Sequence, residues 1–198
     1  MPDDVVLKVS ANRDPGYSKK VAGAVGWRLR EAGFCKIRAI KADAVNTAIK
    51  AIAVVNQRTR PKGVTFAMDL TFAAADSPGQ DAVTTIAMTV SETTAAAPTE
   101  MLEYKVSGKD AEADEAAIGK LAGALASPAR QGKGIKLRCI GPSSVYKAIL
   151  ACIMAKGFLY PNGLEVIAIP SWDTVIQGDH PISLIQIEFW AKKIENVS

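Results

Sequence analysis

Histidine is all but missing from this 198-residue chain: His180 stands alone, in a predicted hairpin turn beside Asp179. That removes Ser-His-Asp and Cys-His catalysis, and it leaves no cluster of ligands for zinc. Cysteine is nearly as scarce. Cys35, Cys139 and Cys152 show no paired or metal-like spacing, and their odd number suits a reducing compartment. Cys139 and Cys152 fall on apolar faces and read as small core residues. No apolar run approaches the roughly 18 residues of a membrane span, and Ala148 to Ala155 is pinned between Lys147 and Lys156. Met1-Pro2-Asp3-Asp4 is acidic where a secretory signal is basic. Gly132-Lys133-Gly134 precedes a predicted strand instead of following one, so it is a connection and not a phosphate cradle. With 48% apolar and 22% charged residues the composition is that of a soluble globular protein. These absences argue against an enzyme and give no reason to expect a metal or cofactor. They point to an intracellular protein, cytoplasmic or nucleoid-associated.

What the chain does contain is a copy of itself. Lys20-Val21-Ala22-Gly23-Ala24-Val25 answers Lys120-Leu121-Ala122-Gly123-Ala124-Leu125 at an offset of 100 residues. Lys36-Ile37-Arg38 answers Lys136-Leu137-Arg138, and Val45, Ala48, Ile49 and Ala51 fall on Val145, Ala148, Ile149 and Ala151. Leu7-Lys8-Val9-Ser10 meets Tyr104-Lys105-Val106-Ser107 at an offset of 97, so loop lengths differ slightly. A unit of roughly 90 residues is a small domain, not a solenoid repeat. Residues 1–95 and 101–198 are therefore expected to be two copies of one fold, a covalent version of a two-fold dimer.

Within each copy the apolar spacing predicts β-α-β-α-β-β. Val5 to Ser10 opens as a strand, and Asp14-Pro15 starts a helix with Val21, Val25 and Leu29 inward and Gly33 at its end. Lys36 to Ile40 alternates as a strand, and Asp43 is placed to cap a second helix through Val45, Ile49 and Ile52. Val64 to Phe72 and Ile86 to Val90 make a hairpin around Ser77-Pro78-Gly79. After a Thr/Ala/Pro linker the second copy follows. A strand at Tyr104 to Ser107 leads to a helix from Asp110 to Ser127, stopped by Pro128. A strand at Lys136 to Ile140 leads to a helix capped by Ser143 or Ser144. The closing hairpin pairs Leu164 to Ile169 with Ser183 to Trp190 and turns at Gly178-Asp179-His180-Pro181. Two helices per four strands give an α+β two-layer sandwich.

The net charge of +4 is unevenly spread. Lys19 to Lys62 holds eleven basic and two acidic residues, and Lys120 to Lys156 holds seven basic and none acidic. Acids collect in Asp76 to Asp81 and Asp110 to Glu115. The same sub-region of both copies is basic, as a polyanion-facing surface would be. Trp27, Phe34, Phe66, Phe72 and Trp190 read as core, and Phe158 and Tyr160 as the aromatics most open to nucleobases.

Leu7-Lys8-Val9-Ser10-Ala11, Val21-Ala22-Gly23-Ala24 and Asn46 to Ala53 resemble the first two thirds of stage V sporulation protein S. Ala155 to Leu164, followed by Ile167-Ala168-Ile169-Pro170, resembles its final third. The resemblance covers almost the whole chain twice. It implies an Alba-like fold, two tandem sandwiches forming a pseudo-dimer, and sequence-tolerant binding of DNA or RNA. On that resemblance the candidate nucleic-acid-binding residues are Arg13, Lys19, Lys20, Lys41, Lys50, Lys109 and Lys120. The sequence departs from the Alba pattern in its hairpin arms, which are acidic at Asp76 to Asp81 and near neutral at Gln177 to His180. An alternative role is scaffolding. Leu164 to Ile169 is apolar on both faces, and Ile167 and Ile169 occupy an outer sheet face that asks for a protein partner. On this reading the first copy contacts the polyanion, and the second contacts protein or another copy of the chain.

Overall fold

A computed structural model of the chain describes residues 5–12, 14, 16–73, 84–108, 115–177 and 179–195. The first repeat runs β1 (Val6–Val9), α1 (Tyr17–Ala32), β2 (Phe34–Ile40), α2 (Lys41–Thr59), β3 (Phe66–Ala73) and β4 (Thr85–Glu92). The second runs β5 (Met101–Val106), α3 (Glu115–Arg130), β6 (Gly134–Cys139), α4 (Pro142–Leu159), β7 (Leu164–Gln177) and β8 (His180–Lys193). Each repeat holds one four-stranded sheet, ordered β1-β2-β4-β3 and β5-β6-β8-β7. The first two strands of each are parallel across a helical crossover, and the others are antiparallel. The fold is α+β, β-α-β-α-β-β twice over.

Strand alternation sets the layers. Cys35, Ile37 and Ala39 of β2 are buried while Lys36 and Arg38 alternate outward, and β6 repeats this with Ile135, Leu137 and Cys139. The buried side receives the helices through Val21, Val25 and Leu29 in α1 and Ile118, Ala122 and Leu125 in α3. One hydrophobic core runs continuously through both repeats.

Four local expectations are corrected. The helix of the second repeat does not stop at Pro128: α3 runs through it to Arg130. Pro128 lies in the last turn, where only one ladder bond is lost, and its ring is buried. The stop is Gly132, at φ +76, whose N–H bonds the Ala129 carbonyl. Ser143 and Ser144 do not cap α4. Pro142 opens that helix after Gly141, and the Ser144 hydroxyl donates backward to the Ile140 and Gly141 carbonyls at 2.8 and 2.9 Å. Asp43 is not the cap of α2 either; that helix begins two residues earlier and Asp43 sits in its first turn. The closing hairpin is longer than expected. Its ladder runs from Leu164↔Lys193 to Gln177↔His180, so His180 and Pro181 belong to β8 and not to the turn. The turns expected at Ser77 to Gly79 and the helix start expected at Asp110 lie outside the described residues.

The repeats meet through α2, α4, β3 and β7, and the contacts obey the 100-residue offset. Asn56, fully buried, accepts from Phe66 N at 2.8 Å and donates to the Phe66 and Pro170 carbonyls at 2.9 and 3.0 Å. Its counterpart Lys156 reaches back to the carbonyl of Leu70, the counterpart of Pro170, and to the Asp69 carboxylate. Arg60 adds a two-pronged bridge to Glu188 at 3.0 and 3.3 Å. The apolar face of β7 is covered in the same way. Ile167 and Ile169 are 9% and 3% exposed, clustered with Trp190 and packed on Ala67 and Ala95 of the first repeat's side. The outer face expected to await a partner molecule is an internal interface of the chain.

Candidate nucleic-acid interface

Both helices of the first repeat begin on one edge. The loop after β1 supplies Ala11, Asn12 and Asp14, α1 supplies Ser18, and α2 supplies Asp43, Asn46, Thr47 and Lys50. Together they line a cavity of about 570 Å³. The loop is held by its own polar groups: Asn12 Oδ1 accepts from Asp14 N, and Asp14 Oδ1 from Gly16 N at 2.8 Å. That asparagine-aspartate turn delivers the chain into α1, whose start has no side-chain cap bond. Asn46 is 7% exposed, and its Oδ1 has no hydrogen-bond partner.

Lys19, Lys20 and Lys41 are exposed in the first turns of the same two helices. Lys41 is unusual. Its φ is +68, the left-handed region, and among the described residues no other side-chain-bearing residue has positive φ. Its counterpart in the second repeat is Gly141, at φ +87. The turn from β2 into α2 demands a glycine-like conformation, and the first repeat places a lysine there at a cost of order 1 kcal/mol.

Of the remaining candidates, Lys50 lines the cavity but is half-buried, with its ammonium 5.6 Å from the ring centre of Trp172 across the repeat boundary. Lys120 is exposed on α3, whose first turn carries Glu115. Arg13 and Lys109 lie outside the described residues. At the equivalent place in the second repeat, Ile118, Tyr146 and Leu150 stand where Ser18, Asn46 and Lys50 stand in the first. They line an apolar cavity of about 460 Å³ with Phe72, Thr84, Glu115 and Met154. The two edges share a shape and differ in chemistry.

Two features went unseen in the sequence. The open sheet faces carry matching cations, Lys8 and Arg38 side by side in one and Lys105 and Arg138 in the other. Charged residues alternating with apolar ones in both second strands were the signal. Arg138 also meets Glu103 at 3.6 Å. The aromatic expectation needs correction: Trp27 and Phe72 are 50% and 52% exposed, as open as Phe158 at 43%. Trp27 lies on the solvent side of α1 under the Arg28 guanidinium, and Phe72 lies near the free end of β3. Burial pushes the Cys35 thiol up to about 11 and Cys139 to about 12, and Cys152 higher still. The cysteines are thus inert core groups.

The family description stage V sporulation protein S matches residues 5–93 and again 105–191. The chain belongs to that family, as a tandem duplication. The first match spans every described strand and helix of its repeat, and the second leaves out the first four residues of β5 and the last two of β8. No helix among the described residues is long and apolar enough to cross a membrane.

Proposed function

We propose that this tandem stage V sporulation protein S homologue binds nucleic acid, without base-sequence preference, along the edge of the first repeat where α1 and α2 begin. Lys19, Lys20 and Lys41 contact phosphates, and the helix-start N–H groups add to the attraction. It acts as a binding protein and not as an enzyme. The observation that carries the reading is Lys41. A left-handed lysine costs stability, its side chain is exposed and its counterpart is glycine, so core packing does not account for it. The polar cavity beside it, with the unpartnered Asn46 oxygen, suits a ribose hydroxyl or a base N–H of the ligand, with the phosphates left to the lysines. The apolar cavity of the second repeat does not, which makes the first repeat the binding half.

Fluorescence anisotropy with labelled single- and double-stranded DNA and RNA at low salt tests this. Binding is expected to at least one form, weakened by Lys19→Ala, Lys20→Ala and Lys41→Ala together. No binding to any form would overturn it.

A further inference from the structure

The end of the second repeat is an arm. β8 pairs with β6 only from Ile185 to Phe189, while its ladder with β7 continues out to His180. Five cross-strand pairs, from Asp173↔Leu184 to Gln177↔His180, therefore project past the end of β6. At about 3.4 Å per residue the arm is roughly 17 Å long. Among the described residues, no strand pairs with the β6 side of residues 180–184.

The tip of this arm is apolar and acidic. Ile176 is 81% exposed and stands opposite Pro181, which is exposed as well, and Asp179 follows in the turn. The groove along its flank is apolar and basic. It has a volume of about 540 Å³ and is lined by Val106, Ile140, Val175, Ile176 and Leu184 together with Lys105 and Arg138, so the arm itself forms one wall. Ile140 is 52% exposed there. Lys105 and Arg138 face each other directly across the parallel pair, an arrangement that is unfavourable unless anions come near. Glu103 serves Arg138, and Asp173 at the arm's root is engaged by the Thr174 N–H at 2.8 Å.

We infer that the arm of one molecule docks in this groove of a second copy of the chain, whose own arm docks back. The charges name the occupant: the groove needs an acid beside an apolar group, and Asp179 with Pro181 carries that pair at the end of a projecting ribbon, with Ile176 beside them on the rim of each groove. A nucleic acid would bring the charge but would meet an arm whose described residues include two aspartates and no lysine or arginine. Antiparallel apposition of residues 180–184 with their own copy sets each tip beside the other molecule's groove, so the contact is isologous and closes at two molecules. Pro181 cannot donate to a ladder, which leaves side chains to hold the contact.

Sedimentation velocity on the full chain tests this with Asp179→Lys and Lys105→Glu. Wild type is expected to show a concentration-dependent monomer–dimer equilibrium. Each reversal alone sets like charges together and should raise the dimer Kd about tenfold or more. Mixed in equal amounts, the two variants pair arm lysine with groove glutamate and arm aspartate with groove lysine, and the dimer should return. That recovery also shows that both variants fold. Ile176→Ser should weaken the dimer without altering nucleic-acid binding. A wild type that stays monomeric at every concentration, or forms open-ended oligomers, overturns the inference. So does a mixture that fails to recover although circular dichroism shows both variants folded. A Lys105→Glu variant that loses nucleic-acid affinity while its oligomeric state is unchanged would assign the groove to nucleic acid instead.

Discussion

Asn56→Ala strikes the seam between the repeats at its least replaceable point. The side chain is fully buried and makes three hydrogen bonds, two to Phe66 and one across the boundary to Pro170. Alanine offers none of them. The Phe66 N–H loses its partner in a dry site, at about 1–3 kcal/mol, and the two carbonyls add a smaller loss because each has a second lone pair. The truncated volume is small, so the cavity contribution is minor beside this. A destabilisation of about 3–5 kcal/mol follows, a large share of the 5–15 kcal/mol typical of a folded domain. Urea unfolding followed by circular dichroism reads it as a lower midpoint. At the m-values usual for small proteins the midpoint should fall by more than about 1 M. The lost Pro170 contact should also make the transition less cooperative, as the repeats begin to unfold apart. A loss below about 1 kcal/mol with unchanged m would show that Asn56 does not hold the seam.

Three further experiments probe Lys41, the Arg60–Glu188 bridge and the buried thiols. Lys41→Gly relieves the left-handed strain, so it should raise stability by about 0.5–1 kcal/mol while weakening nucleic-acid binding; a loss of stability would mean that Lys41 is a packing residue. Arg60→Ala and Glu188→Ala, combined in a double-mutant cycle, should give a coupling of about 1 kcal/mol, and additive effects would show that the bridge joins nothing. The buried thiols favour the protonated form in the folded state, with Cys35 raised from 9.0 to about 11. The Cys35 contribution is complete below pH 9 and lost as pH rises through 11, by about 1.4 kcal/mol per pH unit. Cys35→Ala should flatten that alkaline loss in a denaturation series, and an unchanged slope would place the thiol in water.

The repeat and the order of elements were legible because they rest on periodicity. Val21-Val25-Leu29 and Ile37-Ala39 bury their faces in the structure as their spacing predicts. Features that depend on distant partners were not. Pro128 reads as a helix stop until its ring is seen to be buried in the last turn. Ile167 and Ile169 read as an exposed face because the residues covering them, Ala67 and Ala95, are small and far away in sequence. Lys50 reads as a free cation until Trp172, from the other repeat, is found beside it. In each case the deciding contact crosses from one element or repeat to another, and no local pattern encodes it. Lys41 was legible as a cation and not as a strained one, since strain belongs to the backbone turn.

We propose above all that cations at the helix starts of the first repeat bind phosphates. This is tested most directly by the slope of log Kd against log salt for wild type and for the variant with Lys19, Lys20 and Lys41 all changed to Ala. Each phosphate contact contributes about 0.9 to the slope on duplex DNA and about 0.7 on a single strand. The slope should be smaller by about 2 to 3 in the variant. An unchanged slope in a folded variant would contradict it and place the binding surface elsewhere on the chain.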